Sequence, residues 1–262
     1  MEELSLSRDE ASTWFTETHV EPFELISVSV EHSQSWSASF CLPVRRCYVA
    51  DGRLTERATA NALSESDVLR TYLPDPGATM AGDFGEILVY CYLACKAAPL
   101  CIFGPKKWRL KQDRTKPAPY SDVIHFSVPS WPNPSKEDVL YCSEVKTKST
   151  LGTFSPIEAA IQDCQKDRTS RLSKTLVWLK ERAIRDGLGS TQIAHLERFI
   201  DAIDYPPYQK KFYAVAIICD SLLAQELVKA PTSRHTEYSL IVISVPNLRE
   251  TYMSIFGSGE GG

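Results

Sequence analysis

YSDVIHFSVPSWPNPSKEDVLYCSEVKTK, residues 120–148, is the stretch that decides how this chain is read. Two apolar runs, Tyr120–Val128 and Asp138–Lys148, flank a turn containing Pro129, Pro132 and Pro134. That is the pattern of two strands joined by a segment that cannot itself be strand. Side chains alternate between the faces of a strand, so Asp122 shares a face with Ile124, Phe126 and Val128. By the same parity Glu144 shares one with Leu140, Cys142 and Lys146. If the strands pair antiparallel across the 129–137 turn, Asp122 lies beside Glu144 and Lys146. Two carboxylates and an ammonium then converge at one edge of a sheet.

Adjacent carboxylates repel unless a cation neutralises them, and oxygen-rich sites of this kind suit Mg²⁺ or Mn²⁺. Such a metal activates water and stabilises the charge that develops on a phosphodiester. Lys146 is placed to orient or deprotonate that water, or to stabilise a pentavalent phosphate. The Val145 carbonyl and Glu86 are further candidate ligands. An acid followed by E-x-K also arises by chance, and an ordinary surface Glu–Lys pair is the plainer reading of the motif alone. What lies on either side favours the functional one.

Upstream, GDFGE (82–86) opens the run ILVYCYLACKAA, in which Ile87, Leu88, Cys91, Ala94 and Cys95 recur at helical spacing. Leu100–Lys111 reads as a strand with late basic residues. Downstream, Ser155, Pro156 and Glu158 form the start signal of a helix running to about Asp186, where Gly187 stops it. A helix near Thr191–Ile203 and strands Phe212–Cys219 and Tyr238–Val245 follow. The order from Gly82 is α-β-β-β-α-α-β and a further strand, a mixed α/β fold. Before it, Phe23–Val30 and Trp36–Val49 suggest strands, residues 50–80 begin as helix, and Pro74–Gly77 breaks the chain. The expected division is a β-rich, partner-docking region 1–78, a core 79–256 and a flexible tail 257–262.

The 262 residues are 43% apolar and 24% charged, a globular rather than a disordered composition. No run reaches the roughly 20 apolar residues of a membrane span. The opening MEELSLSRDEAS has no basic or apolar leader pattern. Eight cysteines are scattered without a CxxC, as reduced and mostly buried thiols would be. A cytoplasmic protein is the expectation. The net charge of -4 averages an uneven chain, since residues 1–80 sum to -7 and the rest to +3. Two basic stretches, 104–116 (Lys106, Lys107, Arg109) and 166–185 (Lys166, Arg168, Arg171, Lys174), are candidate phosphate contacts; either alone reads equally as a solvated face. Trp108 among the basic residues is a candidate for contact with nucleic acid. Other chemistry has less support. The five histidines are dispersed, and His125, opposite in parity to Asp122, reads as a polar-face residue. Cys91, Cys95 and Cys101 read as core thiols before zinc ligands. There is no P-loop and no G-x-S-x-G.

Asp122 and Glu144-x-Lys146, with Glu86 on the preceding helix, resemble the PD-(D/E)xK nuclease superfamily. GDFGE, YSDV, SEVKTK (143–148) and the helix 155–181 resemble more narrowly the HamA family of the Hachiman anti-phage defence system, over about residues 79–220. The resemblance implies a restriction-endonuclease-like αβββαβ core and a Mg²⁺- or Mn²⁺-dependent DNA nuclease. It also implies a HamB-like helicase partner that restrains the nuclease. Glu86, Asp122 and Glu144 would then hold metal and Lys146 would serve the attacking water. Ser121 stands where the superfamily motif has Pro, and Gln162 and Lys166 do not reproduce the Q-x-x-x-Y of RecB-type nucleases. The competing reading is a catalytically inactive regulatory subunit that keeps the fold.

Overall fold

The strands on either side of the 129–137 turn do pair antiparallel, with Val123 opposite Ser143 and Ser127 opposite Val139. They form one end of a six-stranded sheet in a computed structural model that describes residues 1–29, 33–201 and 203–258. Its strands are β1 (Phe15–Val20), β2 (Phe23–Val28), β3 (Val123–Ser127), β4 (Val139–Lys148), β5 (Gln209–Cys219) and β6 (Ser239–Val245), in spatial order β1-β2-β6-β5-β4-β3. β1–β2 and β3–β4 are antiparallel, and β2–β6, β6–β5 and β5–β4 are parallel. The helices are α1 (Arg8–Ser12), α2 (Ser33–Tyr48), α3 (Asp51–Asn61), α4 (Glu65–Arg70), α5 (Ala78–Lys96), α6 (Pro156–Lys166), α7 (Leu172–Asp186), α8 (Ile193–Ile200), α9 (Asp220–Leu227) and α10 (Leu248–Ser258).

The strand alternation divides the apolar residues between two cores. Val123, Val139, Tyr141 and Val145 join α5 and α2 on one face, whereas Ile124, Phe126, Leu140 and Cys142 join α7 and α8 on the other. With both faces covered, β5 has no polar face to present, and Ala214–Ile218 is buried throughout. Two glycines set the approach of the elements beside the edge carboxylates. A Cβ on Gly85 would lie 2.2 Å from Thr147 Oγ1, so α5 presses directly onto β4. A Cβ on Gly104 would lie 2.0 Å from the Ile124 carbonyl oxygen, so the segment after α5 presses onto β3.

Several expectations are corrected. Trp36–Val49 is not strand but the body of α2, because Trp36, Phe40, Val44 and Cys47 fall on one helical face and are buried. They meet Trp14 and Phe84 in an aromatic cluster, so the N-terminal region is largely helical rather than β-rich. Its hairpin continues the core sheet: β2 pairs with β6, Glu24 opposite Ile241. Val30 lies outside the described residues. Leu100–Lys111 is not a strand either. It makes one bridge, Phe103 to Phe126, and after Gly104-Pro105 tightens into a 3-10 turn at Lys107–Leu110. The capping box is not formed: Ser155 makes no side-chain cap, and Lys148 Nζ holds the approach to α6 through the carbonyls of Gly152 and Phe154. The long helix is interrupted by a π-helical turn at Asp167–Arg171. After β5 and β6 come α9 and α10, which the sequence reading did not include; of the expected tail, Gly257 and Ser258 belong to α10 and 259–262 lie outside the described residues. No described helix is long and apolar enough to cross a membrane.

Candidate functional site

Asp122 immediately precedes β3, and the β3–β4 register carries it opposite Glu144. Its Oδ2 accepts the Val145 N–H at 2.8 Å, which fixes the carboxylate against the edge of β4. Glu144 is almost completely buried. Its Oε1 accepts from Lys146 Nζ at 2.6 Å and its Oε2 from Arg171 Nη2 at 2.7 Å. Glu86 arrives on α5, one residue after the glycine that lets the helix touch the strand, and its Oε2 accepts the Trp108 Nε1–H at 3.0 Å. Glu86, Asp122, Glu144, Lys146, Asp163 and Arg171 line a cleft of about 1070 Å³.

Four groups in and around this cleft were not foreseen in these roles. Lys107 is buried and donates to the Ser121 carbonyl at 2.9 Å. It stands 3.5 Å from Glu86 and 3.7 Å from Asp122, so one ammonium is flanked by two of the candidate carboxylates. Trp108 is buried, not presented to a strand of nucleic acid, and orients Glu86. Asp163 on α6 shares Lys146 with Glu144, at 2.8 Å. Asp167, in the π-turn, receives Arg171 Nε at 2.5 Å and the Ser121 hydroxyl at 2.8 Å. Ser121 is itself buried and also meets Thr175 Oγ1, so a hydrogen-bonded serine stands where the superfamily motif has Pro. No sequence spacing marks Lys107 or Trp108; the signal available was the Gly-Pro break just before them, which bends the basic run inward.

The basic residues divide accordingly. Lys106 is buried, pairs with Glu3 at 2.6 Å and lies over the Tyr90 ring; Arg109 pairs with Glu3 and with the Arg46 carbonyl. The first basic stretch is therefore turned largely inward. In the second, Arg171 reaches into the cleft, Arg168 pairs with Glu237, Lys166 pairs with Asp163 while remaining mostly exposed, and Lys174 is exposed. Gln162 and Gln165 are exposed on α6. His125 is fully buried against Tyr90, its ring nitrogens without partners among the described residues, because the face opposite Asp122 is a second core. Cys91 and Cys95 are buried and Cys101 is exposed.

Electrostatically the cleft is crowded with carboxyl groups interleaved with Lys107, Lys146 and Arg171. Burial, opposed by Lys107 and reinforced by Asp122 and Asp83, pushes Glu86 up to about 8. Burial and the Asp122 charge push Glu144 up to about 10. Lys107 and Lys146 are raised: burial opposes their charge, but the surrounding carboxylates outweigh it. Carboxylate oxygens are the donors a hard divalent cation takes, and Glu86 and Glu144, held above their ordinary range, would gain from added positive charge. In the present arrangement each candidate carboxylate is turned onto a protein donor, and among the described residues no three His, Cys, Asp or Glu side chains converge as a ligand group.

No curated relative matches the chain. The family model for HamA, in contrast, matches residues 5–257, which takes in the N-terminal hairpin, the cleft and all but the last residue of α10. The protein belongs to the HamA family of the Hachiman anti-phage defence system.

Proposed function

We propose that the chain is a metal-dependent nuclease that hydrolyses DNA phosphodiester bonds and acts with a HamB-like helicase subunit in the cytoplasm. The observation that carries this reading is the pairing of Asp122 with the Glu144-Val145-Lys146 segment across two antiparallel strands, with Glu86 alongside in the same cleft. Asp122, Glu144 and the Val145 carbonyl, with Glu86 behind Lys107, are the groups we assign to Mg²⁺ or Mn²⁺. When bound, the ion supplies an acidified water and charge neutralisation at phosphorus. The protein supplies the rest. Lys146, held as an ammonium by Glu144 and Asp163, acts as a donor that positions the nucleophile and stabilises the phosphorane oxygens, not as a base. Arg171 anchors Glu144 and presents positive charge to the phosphate backbone. Lys166, Arg168 and Lys174, farther along the same helices, extend that path; Lys106 and Arg109 join it only if released from Glu3. Lys107 keeps Glu86 and Asp122 together while the cleft is unliganded.

The test is cleavage of linear and supercoiled DNA by the chain, alone and with its helicase, in Mg²⁺ or Mn²⁺. Glu144→Ala and Lys146→Ala should each lower the rate by at least about 10²-fold. Equal cleavage by wild type and both variants would sink the assignment. Absence of cleavage by the complex, together with no calorimetric Mn²⁺ signal dependent on Asp122 and Glu144, would favour a regulatory subunit instead.

A further inference from the structure

Away from the cleft, three elements enclose a second cavity of about 530 Å³ whose lining is strongly cationic. Arg53 and Arg57 come from α3, one turn apart, and Arg182 and Arg185 from the C-terminal part of α7. The floor is the segment after Gly104, contributing Lys106, Arg109 and Lys111. Among the described residues, Asp186 is the acid that lines it, 3.7 Å from Arg182. The floor cations are balanced from outside the lining, Lys106 and Arg109 by Glu3 and Lys111 by Asp83 at 2.7 Å. The rim is not. Arg185 is exposed with no ion pair or hydrogen bond among the described residues. Among the described residues, Arg57 is held over the Tyr72 ring, 5.3 Å from its centroid, and Arg53 pairs with Glu56 at 3.5 Å, largely in solvent.

Four guanidiniums facing one concavity from two helices repel one another unless an anion sits between them. Guanidiniums match phosphate oxygens through paired N–H donors, and they stack on aromatic rings as Arg57 does on Tyr72. The volume is that of a small-molecule site. We propose that this cavity is a second anion site that binds a phosphorylated nucleotide, either free or as the 5′-phosphorylated end of a strand. It is distinct from the cleft and does not depend on the cleft's chemistry. Its floor nevertheless adjoins the cleft wall in sequence: Lys106 belongs to the cavity and Lys107, the next residue, lies between Glu86 and Asp122. An occupant that draws Lys106 or Arg109 from Glu3 would pull on the residue that neutralises the carboxylates.

The experiment uses the full chain without divalent metal and a fluorescein-labelled, 5′-phosphorylated deoxynucleotide trimer, read by anisotropy. Wild type and Glu144→Ala should bind alike, and an Arg57→Ala/Arg185→Ala variant with an unchanged melting curve should bind at least about tenfold more weakly. ATP as competitor separates the sources: displacement assigns a free nucleotide, and displacement only by unlabelled 5′-phosphorylated strand assigns a strand end. Binding that survives the double arginine variant, or no binding of the trimer by wild type, would overturn the proposal. Because Glu144→Ala is carried in parallel, a failed nuclease assignment and a failed cavity assignment give different patterns.

Discussion

His125 illustrates what single residues in this fold are asked to tolerate. It is buried against Tyr90, and burial, aided by the Lys106 charge, lowers it to about 3. An unfolded histidine titrates near 6.5, so between these values the unfolded chain binds the extra proton and stability falls as pH falls. Unfolding in denaturant should therefore lose up to about 2 kcal/mol from this group between pH 6.5 and 5, and His125→Phe should flatten that limb. A variant whose pH profile matches wild type would show that another group causes the slope. The sequence did not disclose this residue, since a histidine opposite Asp122 in parity suits a wet face equally well, and only the packing of α5 makes that face dry. Lys107 was hidden for the same reason. In a run of six basic residues nothing singles out the one that turns toward the cleft carboxylates, because its partners Glu86 and Asp122 come from other elements. Asp122, Glu144 and Lys146 were legible because their parity and spacing need no more than two adjacent strands.

Among the elements, the α6–α7 segment departs most usefully from regular geometry. The π-turn at Asp167–Arg171 adds a residue between two helices that face different partners. α6 offers Asp163 to Lys146, whereas α7 offers Leu172, Leu176 and Leu179 to the core around Ile124 and Leu140. Deleting Thr169 would turn α7 by about 100° relative to α6. Either those leucines leave their core or Arg171 leaves Glu144. The expected cost is on the order of 3 kcal/mol, measured as a lower denaturation midpoint. An unchanged midpoint would mean that the turn absorbs the deletion without moving either helix. The periodicity of the leucines predicted the helix correctly but not its irregularity, because a π-turn changes the phase by one residue and leaves composition untouched. The opposite error occurred at α2, where the sequence from Trp36 to Val49 satisfies both a two-residue and a four-residue repeat, and the aromatic cluster with Trp14 and Phe84 selects the helix.

For the whole molecule, the sheet runs through the Pro/Gly break at residues 74–77 without regard to it. β2 lies against β6, and Trp36 and Phe40 pack on Phe84 of α5. A fragment covering residues 79–262 should consequently fail to fold, with non-cooperative thermal unfolding and rapid proteolysis. A cooperative transition in that fragment would restore an independent N-terminal module. The acidic and basic halves inferred from charge are real as sequence but are knitted together in space, with Glu3 on Lys106 and Arg109 the clearest stitch. The β2–β6 pairing also orders events in time. Chains are synthesised at roughly 5–20 residues per second, and β2, among the earliest strands made, waits for a neighbour that emerges more than two hundred residues later. The β3–β4 hairpin can form locally in the meantime, but the sheet around it cannot close. A prematurely terminated chain lacking β6 would present unpaired edges on both β2 and β5, the condition that invites aggregation and clearance. The sheet therefore stays open until β6 has been made, because β6 is the strand that joins the β1–β2 hairpin to β5.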